Sequence, residues 1–213
     1  MTSKLSIYQG AAAALGDRKI VSLTEQRGIR RDLDNAWDRG GVKTCLQMGM
    51  WHFATRTVKY DYSPSVEPPF GLKRAFNKPD DWVRTCGVCQ DEFYKVPLLE
   101  YVDEAGFWFA NLDTIYVRFV SSLDDYGMDF SKWPPNFARF VELWFAWSIC
   151  RRTTNSQPTK DDLAKDAQKA LLLAKNTDAM DEATVMLPPG SWALSRRGRR
   201  QRWDHGNTDR LLG

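Results

Sequence analysis

The chain has 213 residues, of which 43% are hydrophobic and 13% aromatic, so it can bury a core and cannot be wholly disordered. Its net charge of +3 is unevenly placed. Residues 186–213 carry six arginines against Asp204 and Asp209, a net charge of +4, which leaves −1 for the other 185 residues. The basic character therefore belongs to the C-terminal segment, and the body is nearly neutral.

The N-terminal residues 1–16 lack the charged start and long apolar run of a secretory signal. No stretch of the sequence has the roughly 20 apolar residues that a membrane-spanning helix needs. We therefore expect a protein made in the cytoplasm without a membrane partner. Its four cysteines, at positions 45, 86, 89 and 150, are expected to be reduced.

Two helices are predicted in the N-terminal quarter. Apolar residues at three- and four-residue spacing predict a helix over residues 3–15, which Gly16 would end. Ser22 and Glu25 match a capping box and predict a second helix over about 23–50. Gly40 and Gly41 weaken that helix, and they mark either a break or a close helix contact.

A β insertion is predicted over about residues 55–120. Residues 55–62 are extended, and prolines make 63–81 a loop that Phe70, Phe76 and Trp82 would anchor to the core. Strands are predicted over 82–89, 93–101, 107–110 and 114–120. The last two are the clearest pair, joined by residues 111–113, and together the strands indicate a small antiparallel meander.

An almost uniformly apolar helix is predicted over residues 135–152. One stripe contains Phe140 and Trp144, and a second stripe on the opposite side contains Leu143 and Trp147. A helix with apolar residues on nearly every side is buried on nearly every side. These four residues are therefore interpreted either as plain core or as a contact between copies of the protein.

A capping box of Thr159 and Asp162 predicts a last helix over 159–182, with small residues on its packing face. Pro188, Pro189 and Gly190 end all periodicity. The predicted fold class is mainly α, a helical bundle with a small β meander. Residues 1–187 would form the folded domain, and 188–213 an extended arm.

No motif indicates an enzyme. Cys86 and Cys89 form a C-x-x-C without a second pair or suitably spaced histidines, and they are interpreted as small apolar strand residues. The chain has two histidines, and His52, between Trp51 and Phe53, is interpreted as a core residue. We therefore assign no catalytic, cofactor-binding or metal-binding residue.

The C-terminal segment is the most distinctive feature of the sequence. Arginine clusters bind phosphate and carboxylate groups through paired hydrogen bonds, and tryptophans act as anchors in protein interfaces. The segment is predicted either to dock on a protein groove or to bind nucleic acid, with a solvated terminus as the bland alternative. Its candidate residues are Trp192, Arg196, Arg197, Arg199, Arg200, Arg202 and Trp203.

Four stretches of the chain, in order, resemble a known family. The first stretch runs from Leu5-x-x-Tyr8 to Gly16 and continues with Val21-Ser22-Leu23-Thr24-Glu25. The second runs from Ala36-Trp37 to Gly49-x-Trp51-x-Phe53-Ala54. The third is Arg74-Ala75-Phe76-x-Lys78-Pro79-Asp80-Asp81-Trp82-x-Arg84, and the fourth runs from Asp113 to Val120. Their order and spacing resemble the portal adaptor (head-to-tail connector) proteins of tailed double-stranded DNA bacteriophages. Within that family, the resemblance is to the tail tubular protein A group of short-tailed phages.

This resemblance implies a structural virion protein rather than an enzyme. Such adaptors form a homo-oligomeric ring, usually of twelve copies, in the neck between the portal protein and the tail nozzle or next tail component. The C-terminal arm reaches back to the portal, and genomic DNA passes through the lumen during packaging and ejection. The protein would be made in the bacterial host cytoplasm and found in the virion. The alternative is a nucleic-acid-binding module that uses the arginine-rich arm.

Overall fold

The computed structural model describes residues 2–181, which fold into five α-helices and two three-stranded antiparallel sheets. Helices account for 43% of these residues and strands for 20%. The prediction of a mainly α protein is therefore wrong, and the fold is mixed α/β. The strands are more than an insertion, because they build a second hydrophobic core of their own.

The elements follow the chain in a simple order. The helices are α1 (Lys4–Ala14), α2 (Gly28–Asp38), α3 (Gly41–Gln47), α4 (Pro135–Thr153) and α5 (Gln157–Met180). The strands are β1 (Thr55–Asp61), β2 (Arg74–Asn77), β3 (Trp82–Cys89), β4 (Tyr101–Glu104), β5 (Phe107–Ala110) and β6 (Thr114–Ser121). Short 3₁₀ turns at His52–Ala54 and Phe130–Lys132 precede β1 and α4.

Serine side chains begin both terminal helices. Ser3 and Ser6 form a reciprocal capping box at α1, in which each hydroxyl accepts the other residue's backbone N–H. The Ser156 hydroxyl accepts the Thr159 N–H at the start of α5, with Pro158 in the first turn. The last helix therefore begins at Gln157, two residues before the predicted start.

The predicted helix over residues 23–50 is two shorter helices, so that prediction is wrong in its extent. Ser22 and Glu25 close a turn instead of a helix, and α2 begins only at Gly28. Gly40 then adopts the left-handed conformation, with φ of 82°, which separates α2 from α3. A Cβ on Gly41 would lie 2.8 Å from side-chain atoms of Trp144 and Phe145, so this glycine lets α3 approach α4 closely.

Helix α4 is the centre of the helical half. It packs against α1, α2, α3 and α5, and its buried residues form one core with theirs. Phe137 lies within 4.7–4.9 Å of the rings of Trp51, Phe53 and Trp133, measured between centroids. The almost uniformly apolar sequence of α4 is therefore explained largely by packing within one chain.

A charged network joins α1 to α2. The Tyr8 hydroxyl donates to Asp34 at 2.8 Å, and Lys4 and Arg30 form ion pairs with the same carboxylate. Burial raises the pKa of Tyr8 further above its usual range, with the Asp34 hydrogen bond acting in the same direction. Burial alone would raise the pKa of Asp34, but the Tyr8 hydrogen bond and the two cations lower it overall.

The strands form two sheets with orders β1-β6-β3 and β2-β5-β4. The predicted meander is therefore wrong, because β5 and β6 belong to different sheets. Residues 111–113 connect a strand of one sheet to a strand of the other, and they do not form the hairpin turn that the sequence predicted. Trp108 on β5 and Ile115, Val117 and Phe119 on β6 meet in the second core. The alternating pattern indicated that these strands exist, but it did not indicate their partners.

Two further β predictions are also wrong. Residues 93–101 are not a strand: Tyr94 has φ of 55°, and the ladder contact is a single bridge between Cys89 and Pro97. The predicted loop 63–81 contains strand β2, which pairs with β5. Phe76 anchors this strand in the second core, whereas Phe70 is fully exposed and anchors nothing.

A polar cluster bridges the two sheets. The Lys78 side chain is only 6% exposed and forms an ion pair with Asp103 on β4. Its ammonium group lies 3.7 Å from the centroid of the Trp82 ring. The Thr85 hydroxyl on β3 accepts the indole N–H groups of Trp82 and Trp108 at 3.1 and 2.9 Å, and it donates to Asp103. This cluster is the main polar connection between β3 and the sheet of β4 and β5.

Replacing Thr85 with valine should therefore destabilise the protein. The change keeps the shape of the side chain but leaves two indole donors without their acceptor, so we expect a loss of about 2–4 kcal/mol. Urea denaturation of the wild-type and Thr85→Val proteins measures this difference. Thr114→Val, which removes a surface hydrogen bond to Asp61, is the matched control and should cost under about 1 kcal/mol. Equal losses for the two variants would contradict the bridging role of Thr85.

Candidate interaction surface

The arginine-rich arm lies outside the described residues. This applies to all seven candidate docking residues: Trp192, Arg196, Arg197, Arg199, Arg200, Arg202 and Trp203. The residues of the apolar helix can be placed.

The four candidate residues of helix α4 divide into two pairs. Phe140 and Leu143 are 1% and 6% exposed and belong to the helical core. Trp144 and Trp147 are only half-buried, with ring centroids 6.4 Å apart. The apolar surface that one chain leaves uncovered on α4 is therefore confined to these two tryptophans.

Trp144 and Trp147 form one wall of an apolar groove between α4 and α5. The groove has a volume of about 280 Å³ and is lined by Met48, Phe140, Trp144, Trp147, Ala164, Ala167, Gln168 and Leu171. Two of the residues on the α5 side of the groove are alanines, whose short side chains leave Trp144 and Trp147 partly exposed. Lys160 places its ammonium group 5.4 Å from the centroid of the Trp147 ring, at the charged edge of the groove.

The outer surface of α5 extends this apolar region. Leu172 and Leu173 are 62% and 55% exposed, and Met180 also lies on the surface. Leu172 follows Gln168 by four residues, so it lies one helical turn beyond the groove lining. Large apolar side chains rimmed by charged residues are typical of protein contact surfaces. We refer to the groove lining together with Leu172 as the α4/α5 surface; Leu173 lies about 180° around the helix from Ala164 and is not part of it.

The cysteines form no disulfides and no metal centre within residues 2–181. Burial raises the pKa of Cys45, Cys86 and Cys89, which keeps these thiols protonated at neutral pH. A protonated thiol is a poor nucleophile and a poor metal ligand. Both cysteines of the C-x-x-C lie on β3, where Cys89 is buried and Cys86 is partly exposed.

His52 is not a core residue, so that interpretation is wrong. Its side chain is 46% exposed, and Nδ1 lies 2.9 Å from a carboxylate oxygen of Asp178. Asp178 also accepts the His52 backbone N–H at 3.0 Å and so caps the 3₁₀ turn before β1. The contact fastens the last turn of α5 to the start of the first sheet.

The carboxylate of Asp81 connects three strands of the first sheet. The Asp81 carboxylate accepts a bifurcated hydrogen bond from Nη1 of Arg56 and a hydrogen bond from the hydroxyl of the fully buried Ser121. This joins β1, the start of β3 and the end of β6. The sequence alone could not identify these partners, because they are distant along the chain.

Comparison with known proteins does not extend this description. No protein-family model matches the chain, and no match is found among the curated proteins.

Within residues 2–181, no helix combines the length and the apolar character required to cross a lipid bilayer.

The division within α4 predicts different costs for two truncations. Phe140→Ala should lower the free energy of unfolding by about 3–5 kcal/mol, because it leaves a cavity in the core. Trp147→Ala should cost clearly less, because its side chain is already partly exposed in the folded chain. Thermal or urea denaturation of the two variants measures the difference. A loss as large for Trp147→Ala as for Phe140→Ala would show that its ring is core and not available to a partner.

Proposed function

We propose that this protein is a structural subunit of a bacteriophage neck, a portal adaptor that forms a ring between the portal vertex and the tail. The ring continues the DNA channel and provides a docking platform for the tail nozzle. The resemblance of four ordered stretches to tail tubular protein A-like adaptors supplies this assignment. The ring would have about twelve copies, as is usual in that family.

The observation that carries the proposal is the α4/α5 surface. It leaves two tryptophan side chains partly exposed, and Leu172 well exposed, around a groove in one chain. In a closed ring, each subunit presents one surface to the next copy and a different surface to the previous copy. An apolar groove on one side of the subunit is suited to such a contact, because covering its apolar side chains gains hydrophobic stabilisation.

The arm adds a second support from sequence. Residues 196–202 contain five arginines, and Trp192 and Trp203 lie on either side of them. Tryptophan and arginine are the residues most often found as energetic anchors of interfaces. In the proposed adaptor, this arm docks between portal subunits and makes ring formation depend on the portal.

A nucleic-acid-binding module is the second candidate. The net charge of +4 in residues 186–213 favours it, because arginines neutralise phosphates along a nucleic acid. The two candidates differ in their response to salt and in their partner. Binding to DNA through the arm falls steeply as salt is raised, whereas a docked ring held by apolar contacts persists.

The proposal predicts a discrete ring complex when the purified protein is mixed with its portal protein. Electron micrographs and light scattering should show one added ring per portal, and removal of residues from Pro188 onward should abolish it. Micrographs without a ring, together with salt-sensitive DNA binding that the same truncation removes, would favour the nucleic-acid-binding module instead.

The groove itself has a separate test with a matched control. Ala164→Arg places a long charged side chain in the groove, so it should reduce ring formation by at least about tenfold. Ala179→Arg makes the same change on an exposed position of α5 and should leave ring formation intact. Rings that form equally well with Ala164→Arg would exclude the groove as a subunit contact.

A further inference from the structure

A second surface lies at the loop between β1 and β2, away from the α4/α5 surface in sequence. Phe70 is fully exposed on this loop. It borders an open cavity of about 690 Å³, lined by Glu67, Pro68, Pro69, Phe70, Gly71, Leu72, Glu104 and Phe109. The proline pair restricts the backbone beside Phe70, so the aromatic ring is presented on a stiff segment.

The two charged residues that line this cavity are both acidic. Glu67 and Glu104 line it, both are exposed, and neither forms an ion pair with any residue in the described part of the chain. Arg74 pairs with Asp113 and Lys78 pairs with Asp103, whereas Lys73, which follows the lining residue Leu72, is exposed to solvent. Two free carboxylates therefore lie beside accessible aromatic carbon.

This combination matches a particular side chain. A guanidinium group donates paired hydrogen bonds to carboxylates and stacks on aromatic faces, and it is less strongly hydrated than an ammonium group. An apolar partner would bury the two carboxylates without compensation, and an acidic partner would be repelled. The cavity is also larger than one side chain, so it can receive a short segment of backbone.

We propose that the cavity at Phe70 is a docking site for an arginine-bearing extended segment of a partner protein. Glu67 and Glu104 accept hydrogen bonds from the guanidinium groups, and Phe70 and Phe109 supply the apolar contact. The site is independent of the proposed ring contact, because it uses neither helix of the α4/α5 surface.

Calorimetric titration of the full-length protein with two synthetic peptides tests this site. The probes are acetyl-Gly-Arg-Gly-Arg-Gly-amide and its lysine counterpart, which carries the same charge. The arginine peptide should bind at least about fivefold more tightly, because only guanidinium pairs in a bidentate manner. Glu67→Gln/Glu104→Gln should weaken its binding at least about tenfold, and Phe70→Ala about fivefold.

Two matched variants separate the site from general electrostatics. Asp124→Asn/Asp125→Asn removes two exposed carboxylates elsewhere, and Phe93→Ala removes another exposed phenylalanine. Both should change the affinity less than about twofold. The proposal is overturned if the arginine peptide does not bind, if the lysine peptide binds equally well, or if the control variants weaken binding as much as the site variants.

Discussion

The fold of residues 2–181 depends on the burial of one helix, α4, by four others. Its aromatic and aliphatic side chains hold α1, α2, α3 and α5 around a common core. Close approach is possible because the neighbours carry small residues where they meet it. A Cβ on Gly41 of α3 would lie 2.8 Å from side-chain atoms of Trp144 and Phe145, and the space beside Gly10 of α1 is filled by the carboxylate end of Glu142. Glu142, a charged residue of this apolar helix, therefore lies at the contact with α1, where it forms an ion pair with Arg139.

This arrangement determines what remains available for a partner. A helix with apolar residues on every side can bury them at the centre of one chain or against another copy of the protein. In this chain, the central position buries most of the apolar surface of α4. The apolar side chains of α4 that remain partly exposed are Trp144 and Trp147, which lie beside the alanines of α5. The sheets form a separate core, and the Lys78 cluster and the Asp81 cluster connect strands through buried polar contacts. These contacts fix the strands that carry the loop with Phe70.

The sequence predicted the helices best where caps and periodicity agree. Ser3 and Gly16 enclose a helix in the structure, as predicted, and residues 135–153 are helical where 135–152 were expected. Strand β3 occupies 82–89, the predicted range. Ser22 and Glu25 misled the prediction because a capping box has the same spacing as a simple turn. The break at Gly40 depends on a left-handed backbone conformation, which a glycine can adopt but which the sequence alone does not require.

The pairing of strands and the surface could not be predicted, for a physical reason. Alternation of apolar residues shows that a strand has a buried face, but both β5 and β6 face the same core from different sheets. The environment of Phe70 likewise depends on distant residues such as Glu104 and Phe109. His52 was assigned to the core from its aromatic neighbours in sequence, whereas its contact is with Asp178, 126 residues away. Each of these outcomes was decided by tertiary contacts.

The central claim is that the α4/α5 surface is covered when copies of the chain assemble. Hydroxyl-radical footprinting with mass spectrometry measures this directly, by comparing oxidation of Trp144 and Trp147 in the free protein and in the particle formed with portal. The account predicts strong protection of both tryptophans in the particle, with oxidation of the buried Trp51 low and unchanged in the two states. Equal oxidation of Trp144 and Trp147 in the free and assembled states would contradict it.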